Sequence, residues 1–176
     1  MTKYIAFLRG INVGNIRIKM PDLKAAFETL GFRNVKTYLQ TGNVVFESDK
    51  TLSEIKPVLE KKLSETFDYK AYVLLYEFDV LPEIIAHYPM ERVEMHHAYV
   101  VFIDNTAVFE DLKTLAQGVG EESDSIKAGN QVLYWKVKQG ESLDTPFAKI
   151  LAKAKYKSCA TVRNINTLEK MIWNPT

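Results

Sequence analysis

The side chains best suited to chemistry gather in a few short stretches. Arg9-Gly10-Ile11-Asn12-Val13-Gly14 and Gln40-Thr41-Gly42-Asn43 together hold a guanidinium, three amides (Asn12, Gln40, Asn43), one hydroxyl (Thr41) and three glycines. A guanidinium is a planar fork of donors that matches a carboxylate or phosphate, and amides and hydroxyls fix a ligand's orientation. Glycines let backbone N–H groups approach a bound group closely. Arg163-Asn164 offers the same pairing of cation and amide much later in the chain. The chemistry in view is the cradling of a small anion. Ordinary turn formation stands beside it, since Gly10, Gly14 and Gly42 also suit unusual dihedrals, and Arg163 suits a structural ion pair.

Charge is distributed in support of the anion reading. No acid precedes Asp22, against Lys3, Arg9, Arg17 and Lys19, and none lies between Thr145 and Leu168, against Lys149, Lys153, Lys155, Lys157 and Arg163. Two solvated faces account for such runs equally well. Other signatures fail. Gly10-x-x-x-Gly14 matches neither the dinucleotide fingerprint nor the P-loop. His96 and His97 neighbour Glu91 and Glu94, but adjacent residues on a strand face opposite ways, which favours a polar surface over a metal set. Cys159 falls in an apolar run and reads as core, and Tyr134-Trp135 would place one ring inside in any case. No metal is expected, and no pattern names a cofactor or a catalytic set.

The elements that must position these residues alternate in type. Tyr4 to Leu8 is an apolar run suited to a strand covered on both faces. A helix follows from Pro21, with Leu23, Phe27 and Leu30 on one face and Gly31 as its stop. Val35 to Gln40 and Asn43 to Glu47 flank Thr41-Gly42 as a hairpin. Thr51-x-x-Glu54 is a capping box that opens a helix burying Leu52, Ile55, Leu59 and Leu63. A strand at Lys70 to Tyr76 and a short helix up to Pro89 close the first half. The second half repeats the order: a strand at Ala98 to Ile103, a helix stopped by Gly118, a hairpin around Gly129-Asn130, a helix capped at Thr145-Pro146, a strand at Ser158 to Val162 and a last helix. The hairpins share letters 87 positions apart, Asn43 against Asn130.

The expected fold is therefore α+β, with duplicated ferredoxin-like βαββαβ(α) units, mostly antiparallel sheets and helices packed on them, divided into residues 1–90 and 91–176. In such a unit the first two strands run parallel, so the Arg9–Gly14 loop and the Gln40–Asn43 hairpin should meet at one sheet edge, where the first helix also begins.

Composition sets the outer bounds. The chain has 176 residues, 23 Lys and Arg against 22 Asp and Glu, and one cysteine. That excludes a disulfide framework and fits a reducing cytoplasm, and no apolar run approaches the ~20 residues of a membrane helix. A net charge of +1 and the lack of a basic, aromatic RNP-type strand make nucleic acid an unlikely partner.

Leu8-Arg9-Gly10-Ile11-Asn12-Val13-Gly14, then Met20, then Thr37-Tyr38-Leu39-Gln40-Thr41-Gly42-Asn43-Val44-Val45-Phe46, resemble motifs of the domain of unknown function 1697 family of mainly bacterial, cytoplasmic proteins. Thr161-Val162-Arg163-Asn164-Ile165-Asn166-Thr167 is similar to that family's C-terminal motif. The resemblance implies a duplicated α/β arrangement and no established activity. It marks Arg9, Asn12, Gln40, Thr41, Asn43, Arg163 and Asn164 as the polar members of the motifs, with Asn166 expected to cap the last helix. Asn15 stands where the family usually has a second glycine, and Thr41 where serine is common. Asn tolerates positive φ, and Thr keeps the hydroxyl. The reading that follows is a cytoplasmic protein binding a small phosphate- or carboxylate-bearing ligand. The alternatives are an assembly module without chemistry and, behind it, an RNA-binding module.

Overall fold

Tyr4 to Leu8 are all buried, as expected of a strand covered on both faces, and form the middle of β1 (Thr2–Arg9). The structure, a computed structural model, describes residues 1–12, 15–39, 42–119 and 124–173. Helix α1 (Met20–Thr29) starts at a proline and buries Leu23, Ala26 and Phe27, one turn apart, before Gly31 ends it with a φ of +84°. Strands β2 (Arg33–Tyr38) and β3 (Asn43–Ser48) form the first hairpin. Helix α2 (Leu52–Phe67) opens where Thr51 N donates to the Glu54 carboxylate at 2.7 Å, and it buries Ile55, Leu59 and Leu63. Strand β4 (Tyr72–Glu77) completes a sheet ordered β2-β3-β1-β4, in which every neighbouring pair is antiparallel. Tyr4, Ala6 and Leu8 of β1 join the helices in one core; Ile5 and Phe7 point the other way and are also buried.

The second unit repeats the plan. After the short helix α3 (Leu81–Ala86) come β5 (His96–Ile103), α4 (Thr106–Gln117), β6 (Asp124–Ala128), β7 (Val132–Lys138), α5 (Pro146–Leu151), β8 (Ala160–Asn164) and α6 (Ile165–Trp173). Its sheet has the order β6-β7-β5-β8, again antiparallel throughout. The chain divides into Met1–Val80 and Leu81–Thr176. Helix α3, which the sequence groups with the first half, packs against α6, and its Ile84 carbonyl accepts the Tyr134 hydroxyl at 2.6 Å. No described helix is long and apolar enough to cross a membrane.

The two hairpins are not superimposable letter for letter. The pairing of β1 with β3 ends at Phe7↔Asn43, and that of β5 with β7 ends at Phe102↔Val132. Tyr4↔Phe46 and Tyr99↔Trp135 agree, each pair facing the helix side of its own sheet. Asn43 therefore answers to Val132, 89 positions on, rather than to Asn130 at 87. Asn43 is fully buried and Asn130 exposed. Gly-Asn is what a tight turn asks for wherever it falls, whereas register follows the buried face.

Candidate functional site

The first unit brings the expected loop and hairpin together. Leu8 N donates to the Gly42 carbonyl at 2.8 Å. Gly42 has a φ of +81°, and a Cβ there would lie 2.8 Å from Leu8 Cβ and 3.0 Å from Ile11 Cδ1. Only glycine allows that approach. Ile11 and Ile18 are buried and pin the connection between β1 and α1, while Asn12, itself at a φ of +54°, accepts the Ile18 N–H on Oδ1 at 2.9 Å. Asn43 donates Nδ2 to the Tyr38 carbonyl at 3.1 Å. Two of the amides expected to orient a ligand thus hold the backbone that shapes the edge.

What this edge presents outward is Arg9 and Gly10. Leu8 faces the helices, so Arg9 projects on the opposite face, half-buried and in register with Tyr72. Lys70 Nζ lies 5.6 Å from the centroid of the Tyr72 ring. Gly10 is exposed at a φ of +77°. Helix α1 begins at the same edge with Lys19 at its N-cap, and no side chain caps its first N–H groups. Gly14, Gln40 and Thr41 lie outside the described residues.

Arg163 and Asn164 belong to the second unit. Arg163, in register with Val100 on β8, is 9% exposed and donates Nη1 to Thr161 Oγ1 at 2.8 Å and to the Val162 carbonyl at 2.9 Å. Asn164 Oδ1 accepts the Asn166 N–H at 2.9 Å, so Asn164 rather than Asn166 caps α6. Asn166, expected as the cap, instead gives its amide oxygen to Arg92 Nη2, while Arg92 Nη1 donates to the Glu169 carboxylate.

That network borders a cleft of about 260 Å³ in the second unit, lined by Tyr88, Arg92, His96, His97, Lys136 and Asn166 with Glu94 at its side. His96 and His97 fall on opposite faces of β5, as adjacent strand residues must, paired with Lys138 and Val137. Sequence reasoning considered these histidines and missed Tyr88, Arg92 and Lys136. The legible signal was Lys136, a lone charge inside the apolar run Val132-Leu133-Tyr134-Trp135-Lys136-Val137. Burial pushes the Tyr88 phenol above its ordinary range, with the Arg92 guanidinium opposing it in part. Elsewhere, Cys159 is buried, Trp135 packs edge-on against Phe147 in the core, and the Tyr134 hydroxyl is used by α3. Among the described residues no group of three His, Cys, Asp or Glu side chains is placed to hold a metal.

Comparison with known proteins agrees with this architecture. The family model described as "Protein of unknown function (DUF1697)" matches residues 1–134. The solved structure of a conserved bacterial protein, SP0830 from Streptococcus pneumoniae, is similar with a TM-score of 0.77 at 21% identity, over 97% of this chain and 96% of that one. At that identity the likeness concerns the fold. Among curated proteins nothing matches.

Proposed function

We propose that this chain, which belongs to the DUF1697 family of proteins of unknown function, binds a small phosphate- or carboxylate-bearing ligand at the edge of its first unit, with Arg9 supplying the charge. The observation that carries the reading is the connection between β1 and α1. It takes ten residues, Gly10 to Lys19, where the second unit joins β5 to α4 with two, Asp104 and Asn105. Crossovers of this kind need only a few residues, so the extra length is not a demand of the fold. Its described parts are anchored, Ile11 and Ile18 by burial and Asn12 by its hydrogen bond to Ile18, which lowers the cost of ordering them on a ligand.

On this reading Arg9 offers a bidentate fork, and Gly10 a backbone open to close approach. The first turn of α1, which no side chain caps, contributes N–H groups and the positive end of its dipole, beside Arg17 and Lys19 and with Asp22 as the acid within that turn. Asn12, Gly42 and Asn43 hold the frame. Assembly through the β4 edge gains no support, because α2 occupies that edge. Glu60 accepts the Val73 N–H at 3.1 Å, Lys56 donates to the Val73 carbonyl, and Ser64 accepts the Ala71 N–H at 3.0 Å.

A thermal-shift screen of nucleotides, sugar phosphates, small carboxylates and their uncharged analogues tests the reading. An anionic compound at about one hundred times its Kd adds about 2.7 kcal/mol, a rise of several degrees in Tm. Shifts confined to anions agree with it; equal shifts from the uncharged analogues contradict it.

A further inference from the structure

The cleft in the second unit shares no residue with the first-unit edge; of the motif residues, Asn166 lines it and the cap Asn164 reaches His97 at its wall. Its hydrogen-bonding roles can be worked out in turn. Asn164 Oδ1 is committed to the Asn166 N–H, so the other end of that amide, Nδ2, is what faces His97 Nδ1 at 3.3 Å. Nδ2 can only donate, so His97 Nδ1 accepts and the proton of the neutral ring sits on Nε2. His96 is held the opposite way. Its Nδ1 lies 3.0 Å from the Glu94 carbonyl, which can only accept, so Nδ1 carries the proton and Nε2 is left with a lone pair. His97 lies on the Tyr99 face of the sheet and His96 on the Lys136 face, so of the two it is His96, with its acceptor Nε2, that shares a face with Lys136.

The remaining walls add donors. Lys136 makes no ion pair among the described residues. The Tyr88 hydroxyl is buried with no hydrogen-bond partner, while its ring is held edge-on by Tyr134 at 5.7 Å. A buried hydroxyl without a partner is rare enough in a folded protein to call for one. Arg92 stands at the rim, fixed by Glu169 and Asn166. At about 260 Å³ the space is small for a drug-sized ligand and ample for a compact polar group.

We propose that this cleft is a second binding site, for a small oxyanion, a phosphate or carboxylate group, taken up by Lys136 Nζ and the Tyr88 hydroxyl on the sheet face they share with His96. His96 Nε2 accepts a hydrogen bond from an anion that still carries a proton, as hydrogen phosphate does. The site therefore prefers hydrogen phosphate to a fully deprotonated carboxylate of similar size.

Backbone-amide NMR titrations of the full chain with inorganic phosphate and with acetate test the proposal. Saturable shifts at the amides of His97, Ala98 and Lys136 are expected with phosphate at lower concentration than with acetate. Lys136→Ala weakens phosphate about tenfold, the effect of losing one charge-assisted hydrogen bond. Tyr88→Phe, which keeps the ring on Tyr134, weakens it a few-fold, and the exposed first-unit change Lys24→Ala leaves it unaltered. Acetate saturating first at the same amides would overturn the His96 role. No saturable shift with either anion, or shifts that Lys136→Ala leaves in place, would overturn the site. Changes at Gly10 and Gly42 report the first-unit edge instead, so the two proposals fail or succeed separately.

Discussion

The two units share a sheet order and differ where β1 and β5 end. Register puts Arg9 level with Asp104 and Gly10 level with Asn105. In the second unit Asn105 caps α4 at once, its Oδ1 accepting the Val108 N–H at 3.0 Å. In the first, a cation and a flexible glycine open a ten-residue connection instead. The scaffold needs only the short form. The comparison teaches that βαββαβ packing is carried by the strands and the helix faces, and that chemistry at the strand ends is added without disturbing them. The second unit carries its own polar cluster elsewhere, between α3, the start of β5 and the start of α6.

The sharpest way to break this comparison is at the residues that stand in for one another across the hairpins. Gly42 answers to Gln131, and both have positive φ, +81° and +58°. Gly42→Ala meets both the dihedral penalty and the contact with Leu8 and Ile11, and should lower stability by about 3 kcal/mol. Gln131→Gly relieves an exposed left-handed residue and should raise stability by up to about 1 kcal/mol. Urea unfolding of the two variants checks both, and equal effects would undo the register argument.

A smaller effect separates the two asparagines of the last motif. Asn164→Ala removes the α6 cap and should cost about 1 kcal/mol, whereas Asn166→Ala, exposed and bonded only to Arg92's side chain, should change stability by no more than about 0.5 kcal/mol. The reverse order would restore Asn166 as the cap.

The smallest effect is one of pH. Asp111 Oδ2 accepts the Tyr156 hydroxyl at 2.6 Å and lies 3.4 Å from Lys155 Nζ, tying α4 to the segment before β8. The hydrogen bond from Tyr156, and then Lys155, hold its carboxyl below the ordinary carboxylate range. A folded-state pKa below the unfolded one means the stabilisation is present above the ordinary carboxylate pKa and is lost as pH falls through the folded value. The urea midpoint of Asp111→Asn should lie below that of the parent at neutral pH, and the gap should close from about pH 5 downward. A gap that widened in acid would contradict the assignment.

Much of the fold was legible because its signals are local. Pro21, the Thr51–Glu54 box, Thr145 and the run from Tyr4 to Leu8 each state their element within a few residues. The meeting of the Arg9 loop with the hairpin was legible from topology alone. The hairpin register was not, since shared turn letters outweighed the burial pattern that sets it. The α6 cap was missed because Asn164 and Asn166 both satisfy a capping pattern, and only the position of Arg92, more than seventy residues earlier in the chain, separates them. Arg163 read equally as a ligand contact and as a structural ion-pair partner; it is nearly buried, and its guanidinium bonds to Thr161 and the Val162 carbonyl of its own strand. The cleft could not be assembled from sequence at all: Tyr88 and Lys136 lie 48 positions apart on a short turn and a strand.

The most direct test of the central claim is calorimetric titration of the best anionic ligand from the screen into parent protein and Arg9→Ala, with the Tm of each recorded. Arg9 sits half-exposed at a strand end, so its loss should leave Tm within a few degrees and weaken binding at least tenfold. Unchanged affinity together with a large fall in Tm would make Arg9 a structural residue and the first-unit edge a scaffold without a ligand.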